Sequence, residues 1–172
     1  MTSDKKYKDS FVKQLLPYAS DHKRGERAAL RRYWSEASRA HAFPVLGNLG
    51  ALGDERKTIL AALFAIHPLH KKSKMGSIGR AANQLGKTKE GDHPYERHFK
   101  RLLACETLSD LAPNLYRLCK RLDRDKIPLD YELLHKDLNF WANDSERVKT
   151  DWAKDFWQPY LIEETQKQEE SA

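Results

Sequence analysis

The chain has 172 residues, 40% of them hydrophobic and 33% charged, with a formal net charge of +6 and a mean hydropathy of −0.80. That length suits a single domain with a sizeable core. No apolar run is long enough to span a bilayer, no secretory signal is present at Met1–Tyr7, and Cys105 and Cys119 have neither zinc nor redox spacing, which fits a cytoplasmic protein with reduced thiols.

The spacing predicts helices throughout, because no stretch sustains period-two alternation and no Asn-Gly or Asp-Gly pair marks a hairpin. A first helix covers 7–16 and halts near Pro17. A second covers 25–38, with Leu30, Tyr33, Trp34 and Ala37 on its inward face. Pro44 and Gly47 limit a short third element carrying Val45, Leu46, Leu49 and Leu52. Asp54 caps a fourth helix, whose inward face is Ile59, Leu60, Leu63 and Ile66 and which Pro68 ends.

The stretch 67–76 is polar, with Lys71, Lys72, Ser73 and Lys74, and reads as a mobile basic loop. Ser77 caps a short helix through Ala81, Ala82 and Leu85 that Gly86 ends, and Gly79 on it permits close approach of a neighbouring helix. After a second polar loop to Asp92, Asp92 and Pro94 open a helix with Phe99, Leu102 and Leu103 inward. Thr107 or Ser109 caps the next, along Leu111, Leu115, Leu118 and Leu122, with Pro113 tolerated near its first turn.

Pro128 precedes a helix over 129–142 that presents Tyr131, Leu134, Leu138 and Trp141 on one side. Asn143 or Asp144 caps the last helix, striped by Val148, Trp152, Phe156 and Tyr160. The expected fold is all-α: a compact multi-helix bundle of about eight to nine helices with mostly short connections. Residues 1–162 form one helical domain, followed by an acidic, disordered tail over 163–172. That tail carries −3, which leaves +9 on 1–162. A basic body of this kind implies phosphate partners or acidic protein surfaces.

The basic residues follow the helical period. Arg27 and Arg31, Arg97 and Arg101, and Arg117 and Arg121 are pairs at i,i+4, so each pair shares a face. Arg31-Arg32, Lys100-Arg101 and Lys120-Arg121 are adjacent doublets. Arg27, Arg31, Arg32, Arg97, Lys100, Arg101, Arg117, Lys120 and Arg121 are therefore the candidate contacts to a nucleic-acid backbone. Their competing use is local ion pairing, Arg27 with Glu26 and Arg117 or Arg121 with Asp123 or Asp125. Trp34, Trp141 and Trp152 fall on the apolar stripes, whereas Trp157 lies off them and suits a surface contact.

No motif supports catalysis, a cofactor or a metal. His67 and His70 flank a proline, with no further ligand nearby in sequence and lysines around them. Gly76-Ser-Ile-Gly79 has no strand beside it, and Gly86-Lys87-Thr88 only imitates the end of a P-loop.

Several segments, in order, resemble the CasB family, the small subunit of the type I-E CRISPR surveillance complex, Cascade. They are Gly25-Glu-Arg-Ala-Ala-Leu-Arg-Arg32, Ser77-Ile-Gly-Arg-Ala-Ala-Asn-Gln-Leu85, Glu96-Arg-His-Phe-Lys-Arg-Leu-Leu103, and the pattern Ile127-Pro-Leu-Asp-Tyr through Trp141, Val148, Trp152 and Phe156. The resemblance implies an all-helical, non-enzymatic subunit, present as two copies beside CRISPR RNA and other Cascade subunits. It implies contacts to the target and displaced DNA strands that stabilise the R-loop in antiviral defence.

By position it transfers strand contact to Arg31, Arg32, Arg97, Arg101 and Arg117. His98 stands where the family pattern often has arginine, and the acidic tail has no counterpart in it. The alternatives are a helical scaffold whose basic face meets acidic protein, and a helix-turn-helix regulator.

Overall fold

The computed structural model describes residues 10–73, 76–86, 93–158 and 170–171, and the regular elements among them are all helices. In chain order they are α1 (Phe11–Leu15), α2 (Arg24–Arg31), α3 (Phe43–Asn48), α4 (Glu55–Ile66), α5 (Ile78–Asn83), α6 (Glu96–Leu103), α7 (Leu108–Asp125) and α8 (Tyr131–Trp157). Three of the expected caps are made, while α6, expected to open at Asp92 and Pro94, begins at Glu96 with no side-chain cap, and Asp92 lies outside the described residues. Asp54 accepts from the Lys57 N–H at 3.2 Å, Ser77 from Arg80 at 3.1 Å, and Thr107 from Asp110 at 3.1 Å. Ser10 and Asp130 cap α1 and α8 in the same way. The loop 87–92, Tyr160 and most of the acidic tail lie outside the described residues.

Three local features differ from the periodic expectation. α1 stops at Leu15, just ahead of Pro17, but the chain then continues as a 3-10 turn, Leu16–Ala19, where a first-turn proline has no N–H to lose. The second helix stops at Arg31 and continues as 3-10 turns, Arg32–Trp34 and Glu36–Ala42, on either side of an extended Ser35. That change of period leaves Ala37 exposed and Tyr33 and Trp34 half-buried. Pro113 sits in the second turn of α7, on its exposed side.

α8 is two arms. Asp144 leaves the helical region at φ −151°, ψ 53°, where a cap was expected at Asn143 or Asp144. Asp137 and Trp152 would lie about 22 Å apart along a straight helix. Instead the Trp152 indole N–H donates to Asp137 at 2.8 Å, and the Trp141 and Trp152 rings are 5.4 Å apart. The arms therefore fold back on each other.

α4 lies at the centre, and its run 59–65 is buried on every side. α1, α2, α7 and α8 pack around it. Its C-terminal carbonyls take donors from three other segments. Arg31 Nε donates to Ala65 O at 2.7 Å, the Trp34 indole to Ala62 O at 2.9 Å, and the Tyr131 hydroxyl to His67 O at 2.6 Å.

Parts of the stretch 67–76, expected as a mobile basic loop, hydrogen-bond to the segment that leads into α8. Leu129 donates to Leu69 O at 3.1 Å and accepts from Lys71 N at 3.2 Å, and Asp130 N donates to Gly76 O at 2.9 Å. Lys74 and Met75 of that stretch lie outside the described residues.

α5 packs against the second arm of α8 through Gly79. A Cβ there would overlap the Trp152 carbonyl oxygen and lie 2.8 Å from Asp155 Cβ. Ser77 donates to Asp155 at 2.7 Å and Asn83 to the Phe156 carbonyl at 2.8 Å, which fixes the contact at both ends. Gly79→Ala is expected to destabilise the protein by about 2 kcal/mol or more, as overpacking against backbone does. Gly25→Ala, where a Cβ meets nothing within 4 Å, is expected to be neutral or stabilising by about 0.5 kcal/mol. Thermal melts of the two variants check the contrast, and equal melting temperatures would overturn it.

Burial pushes the Asp137 carboxyl up to about 6, and the Trp152 N–H opposes this only in part. The folded chain then holds a proton that the unfolded chain has released, so stability falls as pH rises from about 4 through about 6. Asp137→Asn is expected to raise the melting temperature at pH 7.5 by a few degrees, with the gain shrinking at pH 4. The same shift at both pH values would show that the carboxyl is not the cause.

Candidate nucleic-acid interface

The nine basic candidates divide into those engaged by the fold and those facing solvent. Arg27 belongs to the first group: its guanidinium donates to Tyr18 O at 2.7 Å and Ser20 O at 3.1 Å, closing the turn before α2. Arg31 reaches Ala65 O through Nε while the rest of its side chain stays exposed. Lys100 is neutralised by Glu96 at 3.0 Å, one turn earlier on α6. Lys120 lies 5.4 Å over the Tyr116 ring. Arg121, half-buried, lies 5.8 Å over Tyr95, and its Nε is enclosed without a hydrogen-bond acceptor among the described residues.

Arg32, Arg97, Arg101 and Arg117 form the second group. All four are exposed, and no acid among the described residues lies within ion-pair distance of them. Arg97 and Arg101 share the outer face of α6, whose inner face is Phe99 and Leu102. α6 packs on α7, α7 on α4 and α4 on α2, so the arginines ride on consecutive neighbours of one framework.

Two aromatic contacts set the position of α6. Phe99 stacks on Phe156 of α8 at 4.3 Å and 15°, and Tyr95 takes the Arg121 guanidinium over its ring. Burial pushes the Tyr95 hydroxyl up to about 12, with Arg121 and Arg117 pulling the other way. The phenol therefore stays neutral beside the two arginines.

Arg39 is a further basic residue that the sequence pattern does not single out. It lines one groove together with Arg117, Tyr33, Trp34 and Tyr116. Arg39 has no basic neighbour at i,i+4, and only the 3-10 turn after Ser35 carries it back over Tyr33. Of the tryptophans, Trp141 and Trp152 are buried, Trp34 is half-buried in the groove wall, and Trp157 is exposed beside Phe99 and Phe156.

The two histidines weighed as metal ligands, His67 and His70, bond within the fold. His67 is fully buried, its Nε2 donates to Ile127 O at 2.6 Å, and burial holds its pKa below the ordinary value. His70 Nδ1 accepts from the Tyr131 N–H at 3.0 Å. Among the described residues no group of three or more His, Cys, Asp or Glu is arranged to hold a metal, and no helix is long and apolar enough to cross a membrane.

Comparison with known proteins places this geometry in a family. The sequence signature of CRISPR-associated protein Cse2 matches residues 26–157. CasB from Thermobifida fusca has a similar structure, with a TM-score of 0.66 at 23% identity, over 85% of this chain and 95% of that one. CasB from Thermus thermophilus gives 0.64 at 21% identity, over 85% and 97%. A chain of a CRISPR RNA-guided surveillance complex gives 0.69 at 21% identity, over 91% and 94%. No curated protein matches by sequence. At these identities the solved structures establish the shared all-helical fold, and the match over residues 26–157 establishes the kinship: the chain belongs to the CRISPR-associated Cse2 family.

Proposed function

We propose that this chain is a non-catalytic subunit of the CRISPR Cascade ribonucleoprotein and holds nucleic-acid backbone along its basic helical faces. Its partners are CRISPR RNA, other Cascade subunits, a second copy of itself, and the target and displaced DNA strands of the R-loop. The observation that carries this reading is the set Arg32, Arg97, Arg101 and Arg117: exposed, without acids in reach among the described residues, and carried on packed helices or, for Arg32, on the turn that follows α2. Arg121 and Lys120 extend the same face of α7, and Arg31 borders it with the N–H groups not used on Ala65. A structural neighbour from an RNA-guided surveillance complex supports the assembly. Residues 1–162 act as one domain, and the protein works in the cytoplasm in antiviral defence.

The physics suits that role. Replacing a DNA duplex by an RNA–DNA heteroduplex changes free energy little, so protein contacts to backbone can tip the exchange. Guanidinium groups on rigid helices supply such contacts without reading sequence.

The test is fluorescence anisotropy with single-stranded DNA, single-stranded RNA and duplex DNA of equal length at several salt concentrations. Affinity is expected to be independent of sequence and to fall steeply with salt. Arg97→Ala with Arg101→Ala is expected to reduce the log–log salt slope on single strands by about 1.4, from about 0.7 per lost phosphate contact. An unchanged slope removes the α6 face from the site. No binding even at low salt favours the scaffold role instead.

The two groups of arginines also separate in stability. Arg27→Ala, which takes the Arg27 donor from the part-buried Tyr18 carbonyl, is expected to cost about 1–2 kcal/mol. Arg97→Ala is expected to stay within about 0.5 kcal/mol of the parent, as surface substitutions do. Chemical denaturation compares them, and equal losses would contradict the division.

A further inference from the structure

The groove at Arg39 and Arg117 has features that a purely electrostatic backbone contact does not use. Its volume is about 390 Å³, within the range of small-ligand sites. One wall is aromatic. Tyr33 and Trp34 meet edge to face at 5.4 Å, and Trp34 stacks on Tyr116 at 4.8 Å and 28°. All three rings line the groove and none is fully buried.

Two guanidinium groups share the same space. Arg39 lies 4.9 Å over the Tyr33 ring and donates through Nε to Tyr33 O at 3.0 Å, which leaves its terminal N–H groups for an anion. Arg117 is exposed on α7 with no acid in reach among the described residues. The groove also holds acceptors. Glu55 takes the Ser109 hydroxyl at 3.2 Å. The Ser109 carbonyl lacks its usual helical donor, because residue 113 is proline. Stacking faces, a pair of cations and acceptors together match the parts of a nucleotide: the ring, the phosphate and the N–H groups on the base edge.

We propose that this groove takes one unstacked nucleotide of a bound single strand, its base against Tyr33 and Trp34 and its phosphate between Arg39 and Arg117. The carboxylate of Glu55 sets the polarity, since it repels phosphate and accepts from base N–H groups. This inference rests on the strand-binding reading above and adds a contact to the base that charge alone does not supply.

The test compares two strands of equal length and charge, one carrying thymine bases and the other abasic throughout, each prepared as DNA and, with uracil bases, as RNA. The base-bearing strand is expected to bind about tenfold more tightly, in keeping with the stacking of one base on an aromatic side chain. Tyr33→Leu, checked for an intact fold by circular dichroism, is expected to erase most of that preference while keeping the salt slope. Should that variant misfold, 5-iodouracil strands photo-crosslinked to the parent protein decide, with adducts expected at Tyr33, Trp34 or Tyr116.

Equal affinity for base-bearing and abasic strands, with steep salt dependence, would overturn the groove and leave the backbone reading standing. A preference that survives in folded Tyr33→Leu, or adducts confined to other residues, would also overturn it. No binding to any strand at low salt would remove both readings. Whichever backbone shows the larger base preference, DNA or RNA, identifies the strand.

Discussion

The buried C-terminal turn of α4 is the constraint on which the rest of the structure depends. A helix that is apolar on every side can occupy the centre, but its last carbonyls have no donors of their own. Phe64 is worse placed than most, because the residue four positions later is Pro68. Ala65 takes its donor from a distance, Arg31 of α2, while the Trp34 indole from the turn after it and the Tyr131 hydroxyl of α8 bring second donors to the Ala62 and His67 carbonyls. A cation at the negative end of the helix dipole adds to the first of these. His67 then ties the turn to Ile127, and His70 meets the Tyr131 N–H, so the connection between α7 and α8 docks on the same spot. Arg31 is thus part of the frame before it is part of any surface.

That constraint also explains what was legible in the sequence. Signals that act within one turn were readable: Asp54, Ser77 and Thr107 as caps, the break at Asn143 or Asp144, and the tolerance for close packing at Gly79. The end of α2 was not, since it answers to a partner far along the chain. Trp34 must reach Ala62, 28 residues away, and the backbone leaves the 3.6-residue period to do so. Everything after Ser35 inherits that change, which is why Arg39 and Tyr33 come together without any pattern that announces them.

The site was legible in part for the same reason. An i,i+4 spacing fixes that two arginines share a face, but not whether the fold has already used them. Arg27 and Arg31 meet carbonyls 9 and 34 residues away, which no spacing rule reveals. Lys100 differs, because its partner Glu96 is itself at i,i+4, a pairing that the reading of basic doublets passed over. The class of partner proposed follows from charge and from family resemblance together, and the aromatic groove follows from neither.

The exposed arginines of α6 are positioned by contacts in which they themselves take no part. α6 has only eight residues, too few to hold a helix by propensity alone, and it stays in place because Phe99 stacks on Phe156. Phe156 is held by the second arm of α8, and that arm is held by Gly79, Ser77 and Asn83 of α5. Asp137 and Asp155 lie in this hinge, desolvated and bonded to Trp152 and Ser77, so part of the acidic charge is spent in fixing α8. Charge on Arg97 and Arg101 contributes little to folding, because water screens it. Fold and surface charge are thereby separated. The acid-lined hinge orients a short helix, and the arginines on its outer face can serve a strand with almost no consequence for stability.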